Sequence, residues 1–428
     1  MNDISPILFA ELRDEIHSTC FTPEPAPAGR VGAEVEFLVL DDATHLPLPL
    51  HGSRGSIDRL RRYGRRTAWT EFHGYDGTPR FDVSGAATIS FEPGGQLEIS
   101  TRPCASASEL IELLRGLVSP LRAALSDEGV ELLSVGIDPY NDVRRVPLQL
   151  HVDRYERMTR YFDEIGPYGV RMMRQTASIQ VSIDRGSRPA ARWRLLNDLA
   201  PYLVALFANS PHYEGADAGH RSVRALCWRM LDPTRTGVAL PADDPAAAYT
   251  RFALGANDMM ATTSNAAHHP FGTTVASTRS GDDDRSRWAT HLTTLFPEVR
   301  PRGHFEVRSC DAIDPAHYAA PIVFLTGLVY DERSANEAAL LAAESRALLR
   351  TAGEKGMRDV AVARTARDLF ALALAGARRL GAGYVTGGDL DVATQFYVDY
   401  TARDRSPADD RALPVSTTPV SAEVRSPN

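Results

Sequence analysis

Two glutamates two residues apart, Glu34 and Glu36, sit in the run RVGAEVEFLVL (30–40). A second pair, Glu92 and Glu98, flanks the Pro-Gly-Gly turn of FEPGGQLEIS (91–100), and a fifth acid, Glu306, stands two residues before Arg308 in GHFEVRSC (303–310). Side chains on a strand alternate faces with period two. Glu34 and Glu36 therefore share one face, opposite Val35, Phe37 and Val39. Gln96, Glu98 and Ser100 share another, opposite Leu97 and Ile99. In TASIQVSID (176–184) the polar face is Thr176, Ser178, Gln180, Ser182 and Asp184. In 303–310 it is His304, Glu306, Arg308 and Cys310.

Carboxylates side by side on a sheet repel one another. Hard divalent cations held by oxygen ligands would offset that cost, so the pattern reads as a Mg²⁺ or Mn²⁺ site. Gln180 can add a neutral oxygen, and a guanidinium such as Arg308 beside metal ions can clamp a phosphoryl group. The plainer reading, a half-solvated antiparallel sheet, fits each strand taken singly. It explains less well why the charged residues on these faces are mostly acids. The residues alone thus point to metal-dependent phosphoryl transfer and leave the substrate open.

The elements that must position these groups are strands at 30–40, 86–93, 95–102, 131–137, 176–184 and 303–310. Amphipathic helices are expected at 106–129, 151–165, 191–209, 334–352, 357–380 and 389–403, with a short one near the N-terminus. Strands lie early and helices late, without regular crossovers, which predicts an α+β fold with an antiparallel sheet. One catalytic domain is expected over 1–403, with 1–29 a helix and proline-rich linker and 404–428 a disordered tail. The polar segment 276–287 reads as a mobile loop.

Composition narrows the field. The 428 residues carry a net charge of −8, which argues against nucleic-acid and anionic-membrane partners. No apolar run is long enough for a transmembrane helix, and the start lacks a signal-peptide pattern. Four scattered cysteines form no CxxC pair and suit a reducing, cytoplasmic setting. No GxxxxGK[ST] occurs, so phosphates would fall to arginine, backbone amides or metal. His268 and His269 read as loop residues, Cys310 as a small buried filler, and the arginine run 59–66 as a solvated helix or loop. The methionine pairs 172–173 and 259–260 read as packing residues.

These same blocks carry a family resemblance. FEPGGQLEIS resembles the signature of glutamate–cysteine ligases of the plant and actinobacterial type, within the carboxylate–amine ligases. GAEVEF (32–37), RYERMTRYF (154–162), GVRMMRQTASIQVSID (169–184), CWRMLDPTRTG (227–237) and GHFEVRSCDAIDP (303–315) follow in the family's order. The resemblance implies a glutamine synthetase-like fold, whose curved sheet forms a funnel. It implies ATP as co-substrate, a γ-glutamyl phosphate intermediate, and γ-glutamylcysteine as product. Close relatives serve ergothioneine biosynthesis.

By resemblance, Glu34, Glu36, Glu92, Glu98 and Glu306 would hold Mg²⁺. Gln180 and Ser178 would face metal and nucleotide, Arg308 the transferred phosphoryl, and Arg235 a substrate carboxylate or phosphate. The block QVSID departs from the QVNLD of many relatives at Ser182. That leaves open an amine acceptor other than cysteine, and a non-catalytic nucleotide-binding relative is a third possibility.

Overall fold

The computed structural model describes residues 6–24, 29–74, 77–237, 243–261, 267–277 and 281–412. Its frame is a nine-stranded sheet. The strands are β1 (Val31–Asp41), β2 (Thr70–His73), β3 (Pro79–Val83), β4 (Ala87–Phe91), β5 (Leu97–Thr101), β6 (Val130–Leu133), β7 (Ser178–Ile183), β10 (Val299–Pro301) and β11 (Phe305–Asp311). A separate hairpin pairs β8 (His212–Tyr213) with β9 (Ala216–Asp217). The large sheet runs β10-β11-β7-β1-β5-β4-β3-β2, with β6 joined to the far end of β1, and every pairing is antiparallel.

Period-two patterning sorts the two faces. Val31, Ala33, Val35 and Phe37 of β1, Leu97 and Ile99 of β5, and Ile179, Val181 and Ile183 of β7 all lie in the main core. Helices Ala107–Ser126, Pro189–Leu206 and Ala319–Val329 contribute buried residues to that core. The first is capped by Ser106, whose hydroxyl accepts the Glu109 amide at 3.1 Å. Helix Ala319–Val329 is buried along its whole length and packs on Val360–Leu380. Gly327 and Gly376 meet at that crossing, where a Cβ on Gly376 would come within 2.1 Å of the Gly327 carbonyl oxygen. Any larger residue would force the helices apart.

The polar face is also covered. Helices Asp153–Ile165, Pro167–Gln175 and Val223–Leu231 carry a second, smaller apolar cluster that includes Met158, Phe162, Met172, Trp228 and Phe296. The polar strand faces are therefore roofed rather than bathed in solvent.

Three expectations change. The segment 404–412, expected to be disordered, is packed: Arg411 Nε donates to Asn209 at 2.8 Å, and Asp409 takes ion pairs from Arg221 and Arg358. Low hydrophobicity hid an anchor made of charges. Residues 413–428 lie outside the described residues. Of the loop expected at 276–287, residues 281–287 open a helix, Gly281–Leu292, and 278–280 lie outside the described residues. In β11, Cys310 does not share the face of Glu306 and Arg308. A β-bulge places both Arg308 and Ser309 opposite Gln180, so Cys310 pairs with Ile179 on the apolar side.

Candidate active site

Strand register brings the acids together. Glu36 pairs with Glu98 and Glu34 with Ser100 across β1–β5, while Glu34 pairs with Gln180 across β1–β7. Ser90 of β4 lies opposite Glu98. The β4–β5 hairpin then delivers Glu92. Gly95 turns with φ +89°, and a Cβ on Gly94 would lie 2.1 Å from the Arg174 carbonyl oxygen, so this turn must be glycine to seat against helix Pro167–Gln175. Gln96 locks it, with its amide donating to the carbonyls of Met173 (3.3 Å) and Thr176 (3.0 Å).

Glu34, Glu36, Glu92 and Glu98 line one cavity of about 340 Å³, together with Gln180, Trp228, Arg154, Arg300, Arg302 and Arg308. Glu34 also lines an adjoining cavity of about 560 Å³ with Gly32, Thr101, Ser182 and His304. It thus stands at the junction of two chambers on one sheet face.

The acids are electrostatically strained. Burial, reinforced by Glu98 and Glu306, pushes the Glu34 carboxyl up to about 8. Burial and Glu98 raise Glu36, and the same causes together with Glu36 raise Glu92 well above the usual carboxylate range. Glu98 is the shared neighbour, its Oε1 accepting from the Ser90 and Ser100 hydroxyls at 2.9 Å each. Gln180 donates to Glu36 at 2.9 Å, and its buried Oε1 has no partner. Ser178 is buried beside Glu36.

This donor set fits a hard cation. Burial and the neighbouring acids favour the neutral form of Glu34, Glu36 and Glu92, and an amide oxygen lacks a donor. As they stand, no three acids, histidines or cysteines among the described residues converge tightly enough to enclose an ion.

Glu306 is placed differently from expectation. It is fully buried and receives Arg300 Nη2 (2.8 Å) and Arg308 Nη1 (2.6 Å) on Oε1, with Arg300 Nε (2.9 Å) on Oε2. Arg302 adds a contact at 3.6 Å. Burial opposes its ionisation, but Arg300 and Arg308 outweigh that and hold the carboxyl far below its usual range. Both oxygens face arginine, so Glu306 organises cations here instead of offering a free ligand.

Arg235 is likewise elsewhere. It has no exposed surface, and its donors go to Asp232 (2.7 Å) and to the carbonyls of Thr294 (2.9 Å) and Asn257 (2.6 Å). It pins loops behind the site and does not face the cavity. His268 bonds Glu164 at 2.7 Å, away from the acids.

Residues not singled out from the sequence complete the cavity. Trp228 has Arg224 over its ring at 4.4 Å and Arg308 at 5.7 Å. Arg224 Nη2 donates to the Arg308 carbonyl at 2.8 Å. Arg154, opening the helix Asp153–Ile165, donates to the Thr293 carbonyl at 2.9 Å. The signal for Arg154 and Trp228 was their place in RYERM and CWRML, while Arg300 lies in a short strand that alternation could not reveal and Arg302 in the turn just after it.

The sequence profile of glutamate–cysteine ligase family 2 matches residues 30–382, spanning every strand of this sheet. The chain belongs to that family. It is 32% identical over 419 residues to the glutamate–cysteine ligase EgtA of Mycolicibacterium smegmatis, covering 94% of this chain and 91% of the relative. It is 30% identical over 335 residues to the chloroplastic glutamate–cysteine ligase of Arabidopsis thaliana, covering 72% and 64%. The solved structure of a glutamate–cysteine ligase from Francisella tularensis in complex with AMP superposes with a TM-score of 0.52 at 14% identity, over 89% of this chain and 83% of that one. This likeness shows the shared fold. Among the described residues no helix is long and apolar enough to cross a membrane.

Proposed function

We propose that this chain is an ATP-dependent ligase that joins the γ-carboxylate of L-glutamate to the amine of L-cysteine. The observation that carries it is one cavity with four carboxylates, Glu34, Glu36, Glu92 and Glu98, facing arginines gathered on Glu306, in a member of this family.

The chemistry follows from leaving groups. An amine cannot displace oxide from a carboxylate. Transfer of the ATP γ-phosphoryl to the glutamate oxygen forms an acyl phosphate and releases ADP. The amine then attacks the acyl carbon, and phosphate leaves. Arg300, Arg302 and Arg308 stabilise the negative charge that develops on the phosphoryl oxygens. Glu34, Glu36, Glu92, Glu98 and the free oxygen of Gln180 would hold Mg²⁺, or Mn²⁺ in its place. Bound there, the ion neutralises phosphate charge and orients the transferring group. Met158, Met172, Trp228 and Phe296 wall the same cavity and limit water beside the reacting acyl group. All four cysteines are unpaired and buried, which suits a reducing compartment.

The test is turnover of purified protein with ATP, Mg²⁺, glutamate and a panel of amines, read by mass spectrometry. γ-Glutamylcysteine with stoichiometric ADP is expected. A γ-glutamyl product with another amine only would replace the acceptor, and no turnover with any amine would sink the ligase reading.

A further inference from the structure

We propose that Arg154 reads the α-carboxylate of an amino-acid substrate. This rests on the ligase reading above. Glutamate and cysteine each bring an α-carboxylate that makes and breaks no bond. Such a group is held by a fixed cationic fork, ideally an arginine.

Four arginines line the cavity, and three are committed together. Arg300, Arg302 and Arg308 all converge on Glu306, and Glu34 feels the charge of Arg300 and Arg308. A cluster of cations at one wall has the multiplicity that a polyphosphate requires. Arg154 makes no ion pair with Glu306 and takes no part in that convergence. Its Nη2 is anchored on the Thr293 carbonyl at 2.9 Å, and its guanidinium rests 5.3 Å from the Tyr155 ring centre. No carboxylate among the described residues comes within ion-pair distance of it, and its buried Nε has no acceptor. Glu92 is the acid whose field it affects.

A buried donor without an acceptor costs free energy that a ligand oxygen would recover. One anchored guanidinium with one free edge matches a single carboxylate. The surface around it agrees: Met158, one turn along the same helix, and Phe296 are buried and apolar, suited to the carbon chain of an amino acid.

The experiment measures KM for glutamate, cysteine and ATP in wild type, Arg154→Met and Arg154→Lys. Losing the charge-assisted bonds should raise the KM of one amino acid about 10- to 100-fold and leave that of ATP unchanged. Arg154→Lys should recover part of the loss. Substrates lacking the carboxylate identify the source. If Arg154 reads the donor, the preference for glutamate over 4-aminobutanoate collapses in the variants. If it reads the acceptor, the preference for cysteine over cysteamine collapses. Unchanged preferences, or a raised KM for ATP alone, would overturn the proposal. Should Arg154→Met fail to fold, Arg154→Lys carries the same selectivity test, since it keeps the charge and loses the fork. A wild-type protein that joins no amine at all fails the ligase reading before any variant is made.

Discussion

Glu98 and Glu306 were alike in the sequence, each a strand acid on a polar face, yet the structure gives them opposite energetics. Glu98 faces Glu34, Glu36 and Glu92 and raises all three. Glu98→Gln keeps an oxygen for Ser90 and Ser100 and removes the repulsion. The ligand-free variant should therefore melt higher, by about 1 kcal/mol, while turnover falls at least ~100-fold through lost electrostatic stabilisation. Glu306→Gln should also lose turnover but melt lower. Removing this charge strands Arg300 and Arg308 in a buried site, a loss of about 3–5 kcal/mol for a broken buried pair. Thermal melts of both variants at one pH decide the matter. Equal melting temperatures would show that Glu306 carries no arginine-holding role, and a lower one for Glu98→Gln would remove the repulsion argument.

At the scale of elements, alternation located β1, β4, β5, β7 and β11 and assigned Glu34, Glu36, Glu98 and Gln180 to one face. It failed where period two fails. Arg308 keeps the face that alternation gave it, but the bulge in β11 turns Cys310 to the core two residues later, and no residue type announces a bulge. Strands β2, β3 and β10 are short, β2 is mostly exposed, and β3 and β10 carry Arg and Pro, so pairing rather than propensity makes them strands. Arg235 was misplaced for a related reason. A motif names a residue but not which way its loop points, and DPTRTG turns its arginine inward. Its charge has a further consequence for His291, fully buried and stacked on Phe271 at 4.1 Å with its Nε2 2.8 Å from the Ala253 carbonyl. Burial, then Arg235, hold His291 down from 6.5 to about 3. The folded state therefore keeps the ring neutral. Its contribution is intact above pH 6.5 and is lost as pH falls toward 3. At pH 5 the loss is about 2 kcal/mol, from 1.36 kcal/mol per unit. Denaturant melts at pH 7 and 5 should show His291→Gln less stable than wild type at pH 7, with the gap narrowing in acid. A gap that is constant with pH would mean that His291 does not titrate on unfolding.

Across the whole molecule, the segment 404–412 reaches the active-site roof through one chain of hydrogen bonds. Arg411 donates to Asn209 Oδ1 (2.8 Å) and to the Ser134 carbonyl (3.0 Å). Asn209 donates its amide to Asp311 at 2.8 Å, and Asp311 also accepts from Ser210 (2.6 Å) and Ser222 (2.9 Å). Ser222 in turn caps the helix Val223–Leu231, accepting from the Ala225 amide at 3.0 Å. That helix carries Arg224 and Trp228, which sit against Arg308. A parallel tie runs from Asp409 to Arg221, next to the cap. The chain's last described residues thus help fix an arginine that lines the cavity. Arg411→Met removes the first tie and should lower stability by about 1–3 kcal/mol, the cost of a buried amide left short of partners. It should also lower kcat several-fold without changing substrate contacts, since a small misplacement of Arg308 weakens charge stabilisation more than binding. Asp409→Asn should act in the same direction through Arg221, and the double variant should cost less than the sum, because both ties hold the same short segment. Melting curves with steady-state kinetics on the three variants check this. Wild-type melting in Arg411→Met would reduce the segment to a passive tether, whereas lowered stability with unchanged kcat would break the link between the strap and Arg308.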